Sequence, residues 1–390
     1  MLRDPAEAVE RFAAQAQGHT GRLRRGWFRK IGHGRHHKPP PPRCQPRAVR
    51  GQVCGMPPAA LRCGSREAGT ALNPVETDAV EIVEGLEALD PPLDGSVLTV
   101  GNFDGVHRAH QQLLAQAGLL AADRNLPVVV LTFEPHPLRV VAPRRAPQRL
   151  TPLEERLRLL GLAGADLVVV ARSEPTLLEL EPEPFVTDIL LRRFRPRHIV
   201  EGPSFGFGRR RRGTPEMLRE LAAPHGCEVH ILPPVTLQVD DGEDLLVSSS
   251  MIRALLSEGK VRKASLCLGR PYALFGRVVE GAGRGRAIGF PTVNLHIDDQ
   301  LIPADGVYAG RAFADDVSRP AAINIGPAPT FQDDTPRVEA HLLDFHGDLY
   351  GGRIRLEIVR RLREAKPFSD AEALTEQLRQ DVERVRELLS

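Results

Sequence analysis

Between Val80 and about Lys263 the chain alternates short, almost wholly apolar stretches with longer stretches whose apolar residues recur every three or four positions. SVLTVGNF (residues 96–103) and PVVVLTF (127–133) carry no polar alternation, as expected of strands covered on both faces of a parallel sheet. AHQQLLAQAGLLAADRN (109–125) has helical spacing. TPLEERLRLLGLAGADLVVV (151–170) reads as a helix followed by a strand, with Thr151 and Glu154 at the spacing of a capping box. PFVTDILLRRF (184–194) predicts a helix opened by Pro184, and RHIVEG (197–202) a further strand. Strand and helix in alternation predict a doubly wound, Rossmann-like α/β domain.

After Arg270 the period drops to two. YALFGRVVEGAGRGRAIGFPTVNLHI, GVYAGRAFA, RPAAINIG, RVEAHLLDF and RIRLEIVRRL are short strands punctuated by Gly, Pro and Asp, the pattern of a small antiparallel β-barrel. DAEALTEQLRQDVERVRELL closes the chain as an amphipathic helix, with Leu374, Leu378 and Val382 on one stripe. Residues 1–75 have neither texture. Clustered arginines, a GHGRHH run and four consecutive prolines predict disorder, apart from a short helix over residues 5–17. That segment reads as a dispensable extension or a misassigned start, with a basic arm for a polyanion as the alternative. The expected organisation is an extension (1–76), an α/β domain (77–263) and a barrel domain (264–390).

Composition adds limits. With 390 residues, 42% hydrophobic and 26% charged, the chain has the balance of a globular protein of two domains. A net charge of +2 argues neither for nor against a nucleic-acid partner, which only local clusters could indicate, and none is expected. No apolar run approaches the roughly 20 residues of a membrane span, and the N-terminus lacks a secretory signal, so no membrane association and a cytoplasmic location are expected. Five widely spaced cysteines form no C-x-x-C pair and predict no disulfide framework. Zinc binding by Cys44, Cys54 and Cys63 with His33, His36 and His37 fits no compact spacing. The oligomeric state is open.

The chemistry concentrates where strands turn into helices or loops. In GNFDGVHRAH, Gly101 and Gly105 are expected to let the backbone turn sharply beside a helix N-terminus, a place that favours anions. His107 and His110, three apart, share a face and can donate to one phosphate group, although surface or capping histidines would have the same spacing. GAGRGRAIG is no dinucleotide fingerprint, because it leads into FPTVNL rather than a helix, and no Walker A sequence is present.

These residues resemble a known family. GNFDGVHRAH is similar to the H-x-G-H signature of prokaryotic bifunctional riboflavin kinase/FMN adenylyltransferases, or FAD synthetases. TFEPHP (132–137), EGPSFGFGRRRRGTPEML (201–218) and VSSSMIRALLSEGKVRKASLCLGRPY (247–272) follow in the family's order. The resemblance implies that His107 and His110 bind ATP phosphates, and that the loop Gly101, Asn102, Phe103, Asp104 and Gly105 shapes the nucleotide pocket. Ser249, Ser250 and Arg253 match a second phosphate motif, whose hydroxyls and guanidinium make a plausible anion clamp, a plain N-cap being the alternative.

Two departures stand out. The family's H-x-G-H glycine is Ala109, and a loop position usually Asn or Asp is Ser204. They predict weakened rather than abolished adenylyl transfer. GRAIGFPTVN is similar to the flavokinase signature, with Gly281 and Gly289 in the loop over ATP. Thr292 and Asn294, two apart on an extended segment, could both reach a magnesium ion. By the family pattern Glu339 is the base that takes the proton of riboflavin's 5'-hydroxyl, and a salt bridge to Arg337 or His341 is the other reading.

The implied function is two ATP-dependent steps, riboflavin to FMN and FMN to FAD, with Mg2+. The alternatives are a kinase with an impaired adenylyltransferase half, or a non-catalytic flavin or nucleotide sensor.

Overall fold

The computed structural model describes residues 80–389, apart from 90–91, 240–241, 282–284, 286–287, 315–316 and 328–336. The expected extension, its short helix, and Cys44, Cys54 and Cys63 lie outside the described residues.

The first half builds a parallel sheet from β1 (Glu81–Glu84), β2 (Ser96–Val100), β3 (Val128–Glu134), β4 (Leu167–Arg172), β5 (Pro196–Glu201) and β6 (Glu228–Ile231). Their order is β1-β4-β3-β2-β5-β6, and every pairing is parallel. The longer helices are α1 (Arg108–Arg124), α2 (Leu153–Leu162), α3 (Phe185–Phe194) and α4 (Pro215–Ala222). They cover both faces and leave one apolar core on each. β2 is buried along its whole length, which is why its sequence shows no polar alternation. The chain crosses from β2 to β3 on one side and reaches β5 on the other, so the topological switch point lies at the carboxyl ends of β2 and β5.

Two local expectations are corrected. The capping box does not form: α2 begins at Leu153 after Pro152, with no side-chain cap, and the Thr151 amide is taken by Asp104 instead. Pro184 does not open its helix. Pro182 starts a single turn that runs into α3, which winds more widely than an α-helix so that Phe185, Val186, Leu190 and Phe194 all reach the core.

After the hairpin β7 (Thr236–Gln238) and β8 (Asp244–Leu246), two helices follow, α5 (Ser249–Ser257) and α6 (Val261–Leu268). The second half is the expected closed antiparallel barrel: β9 (Tyr272–Val279), β10 (Val293–Ile297), β11 (Gly306–Ala314), β12 (Val317–Gly326), β13 (Arg337–Leu342) and β14 (Arg353–Arg363). They close in the order β10-β13-β12-β11-β14-β9. Helix α7 (Ala371–Leu389) packs Val385 and Leu389 onto Ala309 and Leu343. One hydrophobic core runs without a break from Val247, Ile252 and Leu268 of the α5/α6 region into the barrel interior. The expected boundary at residue 263 therefore falls inside α6. Among the described residues no helix is long and apolar enough to cross a membrane, and Cys227 and Cys267 are free thiols.

Candidate functional site

β2 ends at Val100, and from Gly101 the chain makes an unusual turn before α1. Phe103 (φ 50°), Gly105 (φ 89°) and Val106 (φ 39°) all lie in the left-handed region. A non-glycine residue held there costs about 1–3 kcal/mol, which the surroundings must offset. They do so through the carbonyls. The Asn102 carbonyl accepts from Thr132 and Arg156, that of Phe103 from the Val106 amide, and that of Asp104 from the Ser249 hydroxyl. Arg270 donates to Gly105 and Val106, and Gln111 also donates to Val106. In a trans peptide the N–H points opposite to the carbonyl it follows, so the amides of Phe103 and Gly105 are aimed away from these anchors. Gly101 does not adopt a left-handed conformation, contrary to the expectation that both glycines serve the turn. A side chain there would press on the Phe103 ring.

His107 occupies the N-cap position of α1 without a side-chain cap bond and His110 sits in its first turn, so both project from one face as the spacing predicts. Their rings stack, with centroids 3.6 Å apart and planes at 16°, and Phe103 lies tilted against His110 at 4.9 Å. Burial, reinforced by the nearby Arg270 guanidinium, pushes His107 down to about 3. Burial and the neighbouring His107 hold His110 well below the usual imidazole range. Both rings are neutral at pH 7. The Nδ1 atoms of His107 and His110 and the Oδ1 atom of Asn102 are buried with no hydrogen-bond partner among the described residues. Three orphaned polar atoms on this loop and the helix start it leads into, each costing about 1–3 kcal/mol when unsatisfied, mark a surface shaped for something polar.

The remaining residues of the nucleotide motifs act on this loop from behind. The buried Asp104 carboxylate accepts from the amides of Leu150 (3.0 Å) and Thr151 (3.1 Å) and pairs with Arg253. Arg253 also donates to the Gln148 carbonyl, at 2.8 Å. Ser249 and Arg253 thus hold Asp104 rather than standing free as an anion clamp, and the cap of α5 is Ser248, one residue before the expected pair. Ser250 lies exposed on the first turn. Ser204 is exposed in the loop after β5, its carbonyl bonded by Arg211. Ala109, the departure from the H-x-G-H pattern, packs against the core shared by α6 and the barrel.

Four residues here escaped the sequence reading. His136 lies 3.2 Å from the Asn102 amide, and Arg156 braces Asn102 while pairing with Glu134. Arg270 reaches the loop from the start of the barrel half. Glu201, at the carboxyl end of β5, accepts from the Val100 amide at 2.6 Å, and burial pushes its carboxyl well above the usual range. His136 and Glu201 stand inside stretches that the family motifs single out, and their neighbours were legible. Their contacts are long-range and were not.

On the barrel, register assembles a second site. Asn294 on β10 pairs directly with Glu339 on β13, and Glu339 pairs in turn with Asn324 on β12. Directly opposed residues project from the same face of a sheet. Val338, Ala340, Ile323, Ile325 and Leu295 fill the interior, so the three polar residues occupy the outer face. Thr292 immediately precedes the strand, two residues from Asn294 and exposed. Arg337 donates to Glu339 at 3.3 Å, and His341 bonds the Pro291 carbonyl at 2.8 Å with Phe290 edge-on to its ring. Glu339 therefore has the salt bridge that was the alternative reading, while His341 tethers the glycine loop. A Cβ on Gly281 would collide with the Asn294 amide, and Gly289 takes a left-handed φ of 86°. Asn324 is a further residue that only register reveals.

Comparison with known proteins reaches both halves. The FAD synthetase family model matches residues 90–249 and the riboflavin kinase model residues 268–389. The bifunctional riboflavin kinase/FMN adenylyltransferase of Escherichia coli K12 is 35% identical over 310 residues, 79% of this chain and 97% of its own. That of Bacillus subtilis 168 is 34% identical over 73% of this chain and 90% of its own. That of Pseudomonas fluorescens is 36% identical over 79% and 98%. The crystal structure of a macrolide-efflux protein from Streptococcus pneumoniae superposes with a TM-score of 0.70 at 29% identity, covering 79% of this chain and 99% of that one. Both family domains occur in order and the curated relatives are matched over nearly their whole length, so the chain belongs to the bifunctional riboflavin kinase/FMN adenylyltransferases, converting riboflavin to FMN and FMN to FAD.

Proposed function

We propose that the two reactions are divided between the two sites: FMN adenylylation at the His107/His110 loop of residues 77–263, and riboflavin phosphorylation at the Glu339 face of residues 264–390. Three buried, unpartnered polar atoms on the loop and the start of α1 carry the first assignment. In adenylyl transfer a phosphate oxygen of FMN attacks the α-phosphorus of ATP, and the bond to the β-phosphate breaks to release pyrophosphate. Such transfer needs charge stabilisation and alignment more than covalent chemistry. Neutral imidazoles each donate one hydrogen bond to the triphosphate, joined by outward amides of the turn. Gly101, Asn102, Phe103, Asp104 and Gly105 shape the turn, and Ser249 and Arg253 keep it in position. Ser250 and Ser204 contribute hydroxyls at its edge.

The phosphorylation site rests on the direct pairing of Asn294 with Glu339. Glu339 accepts the proton of the 5'-hydroxyl as that oxygen bonds to the γ-phosphorus and ADP leaves. Gly281 and Gly289 belong to the loop over ATP. The hard oxygen donors of Thr292 and Asn294 suit Mg2+, and the Gly281 cradle leaves the Asn294 amide uncrowded. When bound, the ion neutralises phosphate charge. The reactions are taken to run in the cytoplasm.

Glu339→Gln tests the division. FMN formation from riboflavin should fall at least about 100-fold while FAD formation from supplied FMN persists. Unchanged phosphorylation, or loss of both activities with the fold intact, would refute it.

A further inference from the structure

The sheet carries a second histidine cluster that neither reaction uses. His198 on β5 is in register with Glu228 on β6, and Val200 with His230, so alternation sets His198, Glu228 and His230 on one face. Three atoms converge there. His198 Nδ1 lies 3.1 Å from His230 Nε2 and 3.6 Å from Glu228 Oε2, which is 3.8 Å from His230 Nε2. A point equidistant from these three atoms is about 2.0 Å from each, the bond length of zinc to imidazole nitrogen and carboxylate oxygen.

The surroundings suit a ligand set. His198 is buried, His230 half-buried and Glu228 exposed, so one imidazole is fixed in the protein while the carboxylate closes the cluster from solvent. Asp123 and Arg124, at the carboxyl end of α1, are the nearby charges on the helix that covers this part of the sheet. At 17 residues, α1 puts this end about 25 Å from the His107/His110 pair at its start.

We propose that His198, Glu228 and His230 form a divalent transition-metal site of the zinc class, remote from the His107/His110 pair, that cross-links the edge strand β6 to β5. Two imidazoles and one carboxylate leave a fourth, solvent-facing position for water. The donor set favours zinc over the magnesium of phosphoryl transfer, because imidazole is a borderline ligand and magnesium takes oxygen. Its role is structural: among the described residues the sheet edge has no further strand to hold it, and a bound ion replaces the missing neighbour.

The test uses the untagged full chain, stripped with chelator and titrated with Zn2+ alone in excess Mg2+, by calorimetry and thermal melting. Native protein is compared with Glu228→Gln and with Glu228→Gln/His230→Gln, so that His107, His110 and the histidines before residue 80 remain common to all. The native chain should bind one more equivalent of zinc than the double variant. Its Tm should rise by about 5 °C or more at a hundredfold excess over Kd, a rise absent from the double variant. Glu228 is exposed, so the single variant keeps the fold, and it should bind at least about tenfold more weakly. FMN and FAD formation in the stripped variants should match the stripped native chain. Equal stoichiometry and equal melting shifts in the native protein and the double variant would overturn the proposal and leave the two histidines as a hydrogen-bonded pair.

Discussion

Ala109 occupies the position where the family signature has glycine, and the sequence alone suggests that its methyl group crowds the phosphate. The structure points the other way, because Ala109 packs against the core shared by α6 and the barrel. Ala109→Gly therefore removes packing and adds backbone freedom in the first turn of α1. Glycine costs about 0.5–1 kcal/mol relative to alanine in a helix, and a half-buried methyl about 0.4 kcal/mol more. The expected loss is about 1–1.5 kcal/mol, or about 2–4 °C in Tm for a unit of this size. FAD formation from saturating FMN and ATP should stay within about twofold of native, since no atom is gained at the His107/His110 surface. The assay is the initial rate of FAD formation beside urea unfolding of the same preparation. A rise of about threefold or more, with stability unchanged, would show that the methyl faces the nucleotide and that the packing argument is wrong.

Asp104→Asn should leave Arg253 without its anion and mismatch an amide to the two N–H groups of Leu150 and Thr151, destabilising the protein by about 3 kcal/mol and cutting FAD formation more than FMN formation. An unchanged urea midpoint would remove Asp104 from its anchoring role. His107 gives a pH signature whose sign follows from burial. Its folded pKa lies near 3 and its unfolded value near 6.5, so the unfolded chain binds the proton first, and stability is full above pH 6.5 and lost as pH falls toward 3. Glu201, whose pKa is raised, acts in the opposite sense above pH 4.5, so the measurement is a difference. The stability gap between native protein and His107→Gln should shrink by about 1.4 kcal/mol per pH unit below 6.5, and a gap independent of pH would contradict the assignment.

The two sites were legible to different depths. GNFDGVHRAH carries its geometry locally, because a helix start fixes residues three apart on one face, and His107 and His110 stack as the spacing requires. Thr292 and Asn294 likewise follow from period two. What Asp104, Ser249 and Arg253 do was not legible, since each bond among them joins residues about 145 or more apart in the chain. The sequence suggested that Asp104 shapes the nucleotide pocket and that Ser249 and Arg253 bind phosphate, and the fold joins these side chains as supports of a strained turn.

Apolar continuity and the switch of period from 3.6 to 2 determined, from sequence alone, that a parallel α/β domain precedes an antiparallel barrel, because each pattern can bury its apolar face in one kind of element only. Register was decided by the tertiary structure. Whether Glu339 meets Asn294 and Asn324, or His198 meets Glu228 and His230, depends on which strands become neighbours and by how many residues they slide. The long-range packing of the cores sets that choice, and no local stretch of sequence contains it.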